Sequence, residues 1–172
     1  MPRHIRPTAM IKRKPLTVEN ATVRIETLCA RSEQCTSEVV QKLRQWGVSE
    51  ADVRSIVRSL RERRFVDDAR YAEAFVRDKV VFNRWGRVKI RQALRMKRIA
   101  DDYIDAAMDM IAESEYRGNL LAALRSKARM MDDSRSYEGR NKLLRFGLSR
   151  GFEAALVIKV IKSGEIWGDV ED

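Results

Sequence analysis

Apolar residues recur along this chain three and four positions apart, the spacing of a helix face, rather than alternating as in a strand. Val53, Ile56, Val57 and Leu60 form an i, i+3, i+4, i+7 stripe. Ser49 ahead of them is suited to cap the helix, because its hydroxyl can accept from an amide of the first turn. Upstream, Val39, Val40, Leu43 and Trp46 make a second apolar face that ends at Gly47, and a further helix is expected over about Val23–Ala30. In the next stretch Tyr71, Ala74, Phe75 and Phe82 share one side, and Asn83-Arg84-Trp85-Gly86 breaks the pattern. A basic helix follows with Ile90, Ala93 and Leu94 inward, then another through Ile104, Ala107, Met108 and Ile111. A last trio is expected at Leu120–Met131, Asn141–Leu148 and Ala154–Ile161.

These helices fall into threes. Trp46-Gly47-Val48, Lys97-Arg98-Ile99 and Arg150-Gly151-Phe152 each close a second helix and lead into a third, 51 and 53 residues apart. A period near 50 residues predicts small units stacked in a line. The expected fold is all-α, an elongated row of three tandem three-helix repeats of helix-turn-helix type. Repeat 1 is set at 21–66, repeat 2 at 67–113 and repeat 3 at 114–164, followed by an acidic tail, 165–172. Residues 1–20 hold all three prolines and five cations against one acid, and read as a flexible basic arm.

Composition narrows the function more than the fold. Of 172 residues 35% are charged, and the net charge is +10. Arginine dominates the cations, and its planar fork suits phosphate or carboxylate, so the bias points to nucleic acid or an acidic protein surface. Solubility alone is the competing account. Cys29 and Cys35 have no histidine nearby, so they match neither a zinc spacing nor a disulfide framework. No apolar stretch is long enough for a bilayer span or a signal-peptide core, so a cytoplasmic location without membrane contact is expected.

Catalytic chemistry has little to work with. The single histidine is His4, in the arm, and no phosphate loop, dinucleotide fingerprint or metal-binding helix motif occurs. Asp67-Asp68, Asp101-Asp102 and Asp132-Asp133 are each read as lying at a helix start, where carboxylates meet exposed amides and the positive end of the dipole. No enzyme and no cofactor are expected. The most unusual stretch runs from Arg84 to Arg98: Arg84, Arg87, Lys89, Arg91, Arg95, Lys97 and Arg98, with no acid among them. On a helix that buries Ile90, Ala93 and Leu94, the residues Arg87, Arg91, Arg95 and Arg98 line one exposed ridge. Like charges four apart repel, so an anionic partner would relieve that cost; neutralisation by Asp101, Asp102 and Asp105 is the alternative. Weaker ridges are Lys42 with Arg44, and Arg140 with Lys142 and Arg145. Arg58, Arg61, Arg63 and Arg64 end a helix, where cations also answer the dipole. Of the tryptophans Trp85, in a connection, is the better candidate for an exposed contact, with core or edge packing the leading reading for it, while Trp46 reads as core.

Arg64-Phe65-Val66-Asp67-Asp68, then Arg70-Tyr71-Ala72 and Phe75-Val76-Arg77, resembles the central motif of the RecX family. Gly86 with Lys89-Ile90 and Leu94 resembles that family's next helix, and Arg150-Gly151-Phe152 its closing motif. Two departures stand out: Lys97-Arg98-Ile99 sits where a basic residue, glycine and an apolar residue are usual, and Phe82-Asn83-Arg84-Trp85 lengthens a connection. The resemblance implies tandem three-helix repeats. In it Phe65, Asp67, Asp68, Arg70, Tyr71 and Phe75 are mainly structural. It further implies a protein that binds RecA recombinase filaments on single-stranded DNA, restraining RecA's ATPase, strand exchange and coprotease activity; a monomer is expected because units in a row bury only neighbouring faces. Single-stranded DNA would be met directly or through the filament. The rival is a sequence-tolerant DNA-binding protein of helix-turn-helix type. Against it, the stretch holding Asp101, Asp102, Asp105 and Asp109 stands where a reading helix belongs, and acids there repel phosphate.

Overall fold

The computed structural model describes residues 16–168, which divide into two units at Val66 and Asp67. The first holds α1 (Val18–Arg31), α2 (Thr36–Gln45) and α3 (Glu50–Glu62). The second holds α4 (Asp68–Val81), α5 (Arg87–Met96), α6 (Asp101–Asp109), α7 (Glu113–Arg129), α8 (Tyr137–Ser149) and α9 (Ala154–Ser163). A 3-10 turn, Glu165–Trp167, follows. The described residues contain helices and turns and no strand.

In the first unit the predicted stripe is the core: Val39, Leu43, Val53, Ile56 and Leu60 are buried together with Ala21, Ile25, Val48 and Val66. The Ser49 hydroxyl accepts from the Asp52 amide at 3.2 Å, the expected cap. Residues 1–15 of the expected arm lie outside the described residues, but its last five do not behave as an arm. Leu16 packs on the core and donates its N–H to the Trp46 carbonyl at 3.0 Å, and Thr17 caps α1. Burying Leu16 favours order over solvation there.

The repeated turns share one geometry. Gly47, Arg98 and Gly151 all take the left-handed conformation, with φ of 78°, 60° and 89°. Each following amide reaches five residues back, Val48 to Leu43 at 3.1 Å, Ile99 to Leu94 at 3.2 Å and Phe152 to Gly147 at 3.2 Å. This is the Schellman closure of a helix, with a buried apolar residue just after it. Arg98 therefore adopts a backbone that glycine enters without steric cost and an L side chain enters at about 1–2 kcal/mol.

The second unit encloses α4–α6 and α7–α9 together. Gly86 and Gly151 cross so closely that a Cβ on Gly86 would lie 2.1 Å from the Gly151 carbonyl. The Gly86 amide donates to the Arg150 carbonyl at 2.9 Å, and the Val88 amide to the Gly151 carbonyl at 3.0 Å. Ile90, Leu94, Ile104, Tyr116, Leu120, Leu124, Leu143 and Phe152 are buried.

Three readings shift. On α4 the buried residues are Tyr71, Ala72, Val76 and Val80; Phe75 is only half-buried, and Phe82, just past the helix end, is 79% exposed. Asp132-Asp133 lies in a turn ahead of α8, whose cap is the Ser136 hydroxyl accepting from the Gly139 amide at 2.9 Å. The first residues of the expected acidic tail pack on the second unit: Ile166 is buried, the Glu165 carbonyl accepts from Arg125 at 2.9 Å, and the Trp167 indole donates to Ser134 at 3.1 Å. Residues 169–172 lie outside the described residues.

Candidate partner-binding surface on α5

Helix α5 carries its cations on two sides with different surroundings. On one side Arg87, Arg91 and Arg95 stand four apart and each meets an acid from a later helix. Arg87 pairs with Glu113 at 2.5 Å, Arg91 with Asp105 at 2.6 Å and Arg95 with Asp101 at 2.8 Å. The hydrogen bond to Asp101 raises the Arg95 guanidinium further, and the same bond draws the Asp101 carboxyl down. For Arg87 burial pulls the pKa down, but the bond and charge of Glu113 outweigh it. The like-charge repulsion along this ridge is thus answered inside the molecule. Arg87 is also the least exposed of the three, with its guanidinium 4.1 Å from the centre of the Tyr116 ring.

Beneath it lies a linkage that no sequence spacing announces. Gly86 offers no side chain to cap α5, and the Tyr116 hydroxyl takes that place, accepting from the Arg87 amide at 2.8 Å. The same hydroxyl donates to Glu153 at 2.6 Å, and the ring packs on Phe152 at 5.1 Å. Burial, then the bond to Glu153, pushes the phenol well above its ordinary range. The spatial neighbours come from α5, α7 and the start of α9, so only tertiary contact could reveal them.

The other side of α5 faces aromatic rings. Tyr71, Phe75 and Lys79 form an i, i+4, i+8 ridge on α4. Lys97, capping α5, lies 5.7 Å from the Tyr71 ring and 5.9 Å from the Phe75 ring. Lys79 lies 5.1 Å from Phe75 and 5.6 Å from Trp85, and Lys89 lies 4.4 Å from Trp85. Tyr71 and Phe75 themselves stack at 6.0 Å. A ring face attracts an ammonium without cancelling its charge. Lys79 also pairs with exposed Asp78 at 2.8 Å, whereas Lys89 has no carboxylate partner among the described residues. Arg84 and Arg98 flank α5, are exposed and likewise lack such a partner, and both are left-handed, with φ of 49° and 60°.

The weaker ridges are more committed. Arg44 forks onto Glu50 at 2.6 and 2.9 Å, beside half-buried Lys42. Arg140 donates to the Arg135 carbonyl at 3.2 Å and lies 5.2 Å from the Trp167 ring, Lys142 pairs with Asp133 at 3.2 Å, and Arg145 is exposed. Arg63 pairs with Glu26 and covers Phe65 at 4.7 Å. Of the motif residues, Asp67 caps α4 by accepting from the Ala69 and Arg70 amides at 3.0 and 3.1 Å. Phe65 packs on the first core, and Asp68 and Arg70 are half-buried in the first turn of α4. No described helix is long and apolar enough to cross a membrane.

Comparison with known proteins agrees with this architecture. A family model described as RecX, second three-helix domain, matches residues 67–108, the span of α4 to α6. Regulatory protein RecX of Legionella pneumophila (strain Corby) is 31% identical over 135 residues, covering 78% of this chain and 88% of the relative. Regulatory protein RecX of Clostridium botulinum (strain Alaska E43 / Type E3) is 31% identical over 134 residues, 77% of this chain, and the match spans 62% of that longer protein. A crystal structure of regulatory protein RecX superposes with a TM-score of 0.77 at 24% identity, over 85% of this chain and 71% of the other. Its likeness is one of fold, and the sequence relatives carry the rest: the chain belongs to the RecX family of regulatory proteins.

Proposed function

We propose that this protein binds RecA filaments on single-stranded DNA and restrains RecA's ATPase, strand exchange and coprotease activity. Membership of a family of regulatory proteins supports the general role. The observation that carries the binding surface is the division of α5: its arginine side is answered internally, while Lys89, Arg84 and Arg98 keep their charge for a partner. A polyanionic filament is such a partner, and its attraction falls as salt rises. The helix-turn-helix alternative gains nothing here, since Asp101 and Asp105 of its reading helix face the arginines of α5. Co-sedimentation with preassembled filaments tests the proposal. Binding that requires the assembled filament and weakens with salt supports it; a chain that stays in the supernatant at every salt concentration refutes it.

A further inference from the structure

We infer that the lysine–aromatic side of α5, with the turn leading into it, is a site for single-stranded nucleic acid. Lys89 and Arg84 would hold phosphates, and an unpaired base would stack on Trp85. This rests on the functional reading above but names which surface meets the strand itself.

The charges there are of the kind a phosphate uses. Lys89 is a point charge seated on an indole face, and Arg84 projects from the connection one residue before that indole. The stretch Arg84–Arg98 contains no acid, and exposed Asp78 pairs with Lys79. Arg84 also holds a left-handed backbone, φ 49°, where glycine would be unstrained. An exposed arginine at that cost does nothing for the core, and strain of this kind gathers where a side chain is used.

The rings decide between an acidic protein and a nucleic acid. Carboxylates have no use for an aromatic face, but bases do, and every base offers one. Trp85 is half-buried, its ring covered by the flexible side chains of Lys89 at 4.4 Å and Lys79 at 5.6 Å, and Phe82 in the same connection is 79% exposed. A duplex keeps its base faces stacked inside, so only an unpaired strand can meet these rings. Lysines over the ring would slide from the face onto phosphate as a base takes their place.

The test uses the whole chain without recombinase, titrated with labelled oligo(dT) and followed by anisotropy and by tryptophan fluorescence. The wild type should bind the oligonucleotide more tightly than a duplex of equal length and lose tryptophan emission on binding. Trp85→Phe should remove the loss of emission while keeping a stacking face. The pair Lys89→Gln and Arg84→Gly removes two phosphate contacts, so the slope of log affinity against log salt should fall by about 1.4, at about 0.7 per phosphate. Affinity should drop about tenfold or more, with the helical spectrum retained and the melting temperature not lowered, because glycine relieves the turn. Arg95→Gln, on the opposite side, should leave affinity unchanged. Unaltered affinity and salt slope in the folded double variant overturn the inference, as does equal competition by polyglutamate. A wild type that binds the oligonucleotide yet leaves RecA hydrolysis untouched would support this site and refute the filament role instead.

Discussion

Tyr116 joins three helices through one hydroxyl, accepting from the Arg87 amide and donating to Glu153. Removing it leaves the part-buried Arg87 amide without its acceptor, while Glu153 keeps solvent and Arg87 at 3.9 Å, so Tyr116→Phe should cost about 1 kcal/mol in thermal or denaturant unfolding. Because the folded phenol lies above its ordinary value near 10, its contribution is complete below that pH. It is lost as pH rises towards the folded value. An ultraviolet titration should therefore find the Tyr116 phenol resisting ionisation until the fold gives way in alkali. Arg87, stacked on the same ring, belongs to this cluster, so Arg87→Ala should lower the melting temperature, whereas Arg95→Ala should barely move it. Arg98 points the other way: Arg98→Gly should raise stability by about 1 kcal/mol by removing left-handed strain.

At the scale of elements, sequence periodicity located helices well where one face is uniformly apolar. Val53, Ile56 and Leu60 on α3, and Ile90 and Leu94 on α5, are buried as their spacing requires. Leu94→Ala should accordingly cost about 2–5 kcal/mol, measurable by chemical denaturation. On α4 the period was legible but its meaning was not. Tyr71 is buried as its spacing requires, but the ridge runs on through half-buried Phe75 into Lys79, a ring and a cation along the α5 side, while Val76 and Val80 also fill the core. The arginine ridge shows the same limit. Its cations and the acids of α6 are both plain in the sequence, but which acid meets which arginine depends on how α5 and α6 pack. With Asp101 drawn down by its bond to Arg95, this exposed pair makes only a small, solvent-screened contribution, present at neutral pH and lost as pH falls through the folded value. Asp101→Asn should flatten that part of the stability profile in acid.

For the whole molecule, the threefold period was readable because each turn repeats one backbone geometry, including Arg98 where glycine is usual. The joining of α4–α6 with α7–α9 was hidden, because it rests on the Gly86–Gly151 crossing between residues 65 apart in sequence. That crossing makes the second unit a single cooperative body, and a fragment of residues 67–172 should fold alone with one melting transition. Gly151→Ala, which forces a Cβ to 2.2 Å from the Lys89 Cβ, should break it. The central claim, a filament regulator acting through the free cations flanking and along α5, is tested most directly by DNA-stimulated ATP hydrolysis by RecA as this chain is titrated in. Hydrolysis should fall with added wild type, and more protein should be needed for the same effect with the Lys89→Gln and Arg84→Gly pair. Hydrolysis unchanged by a folded wild type at concentrations that saturate single-stranded DNA would contradict the account.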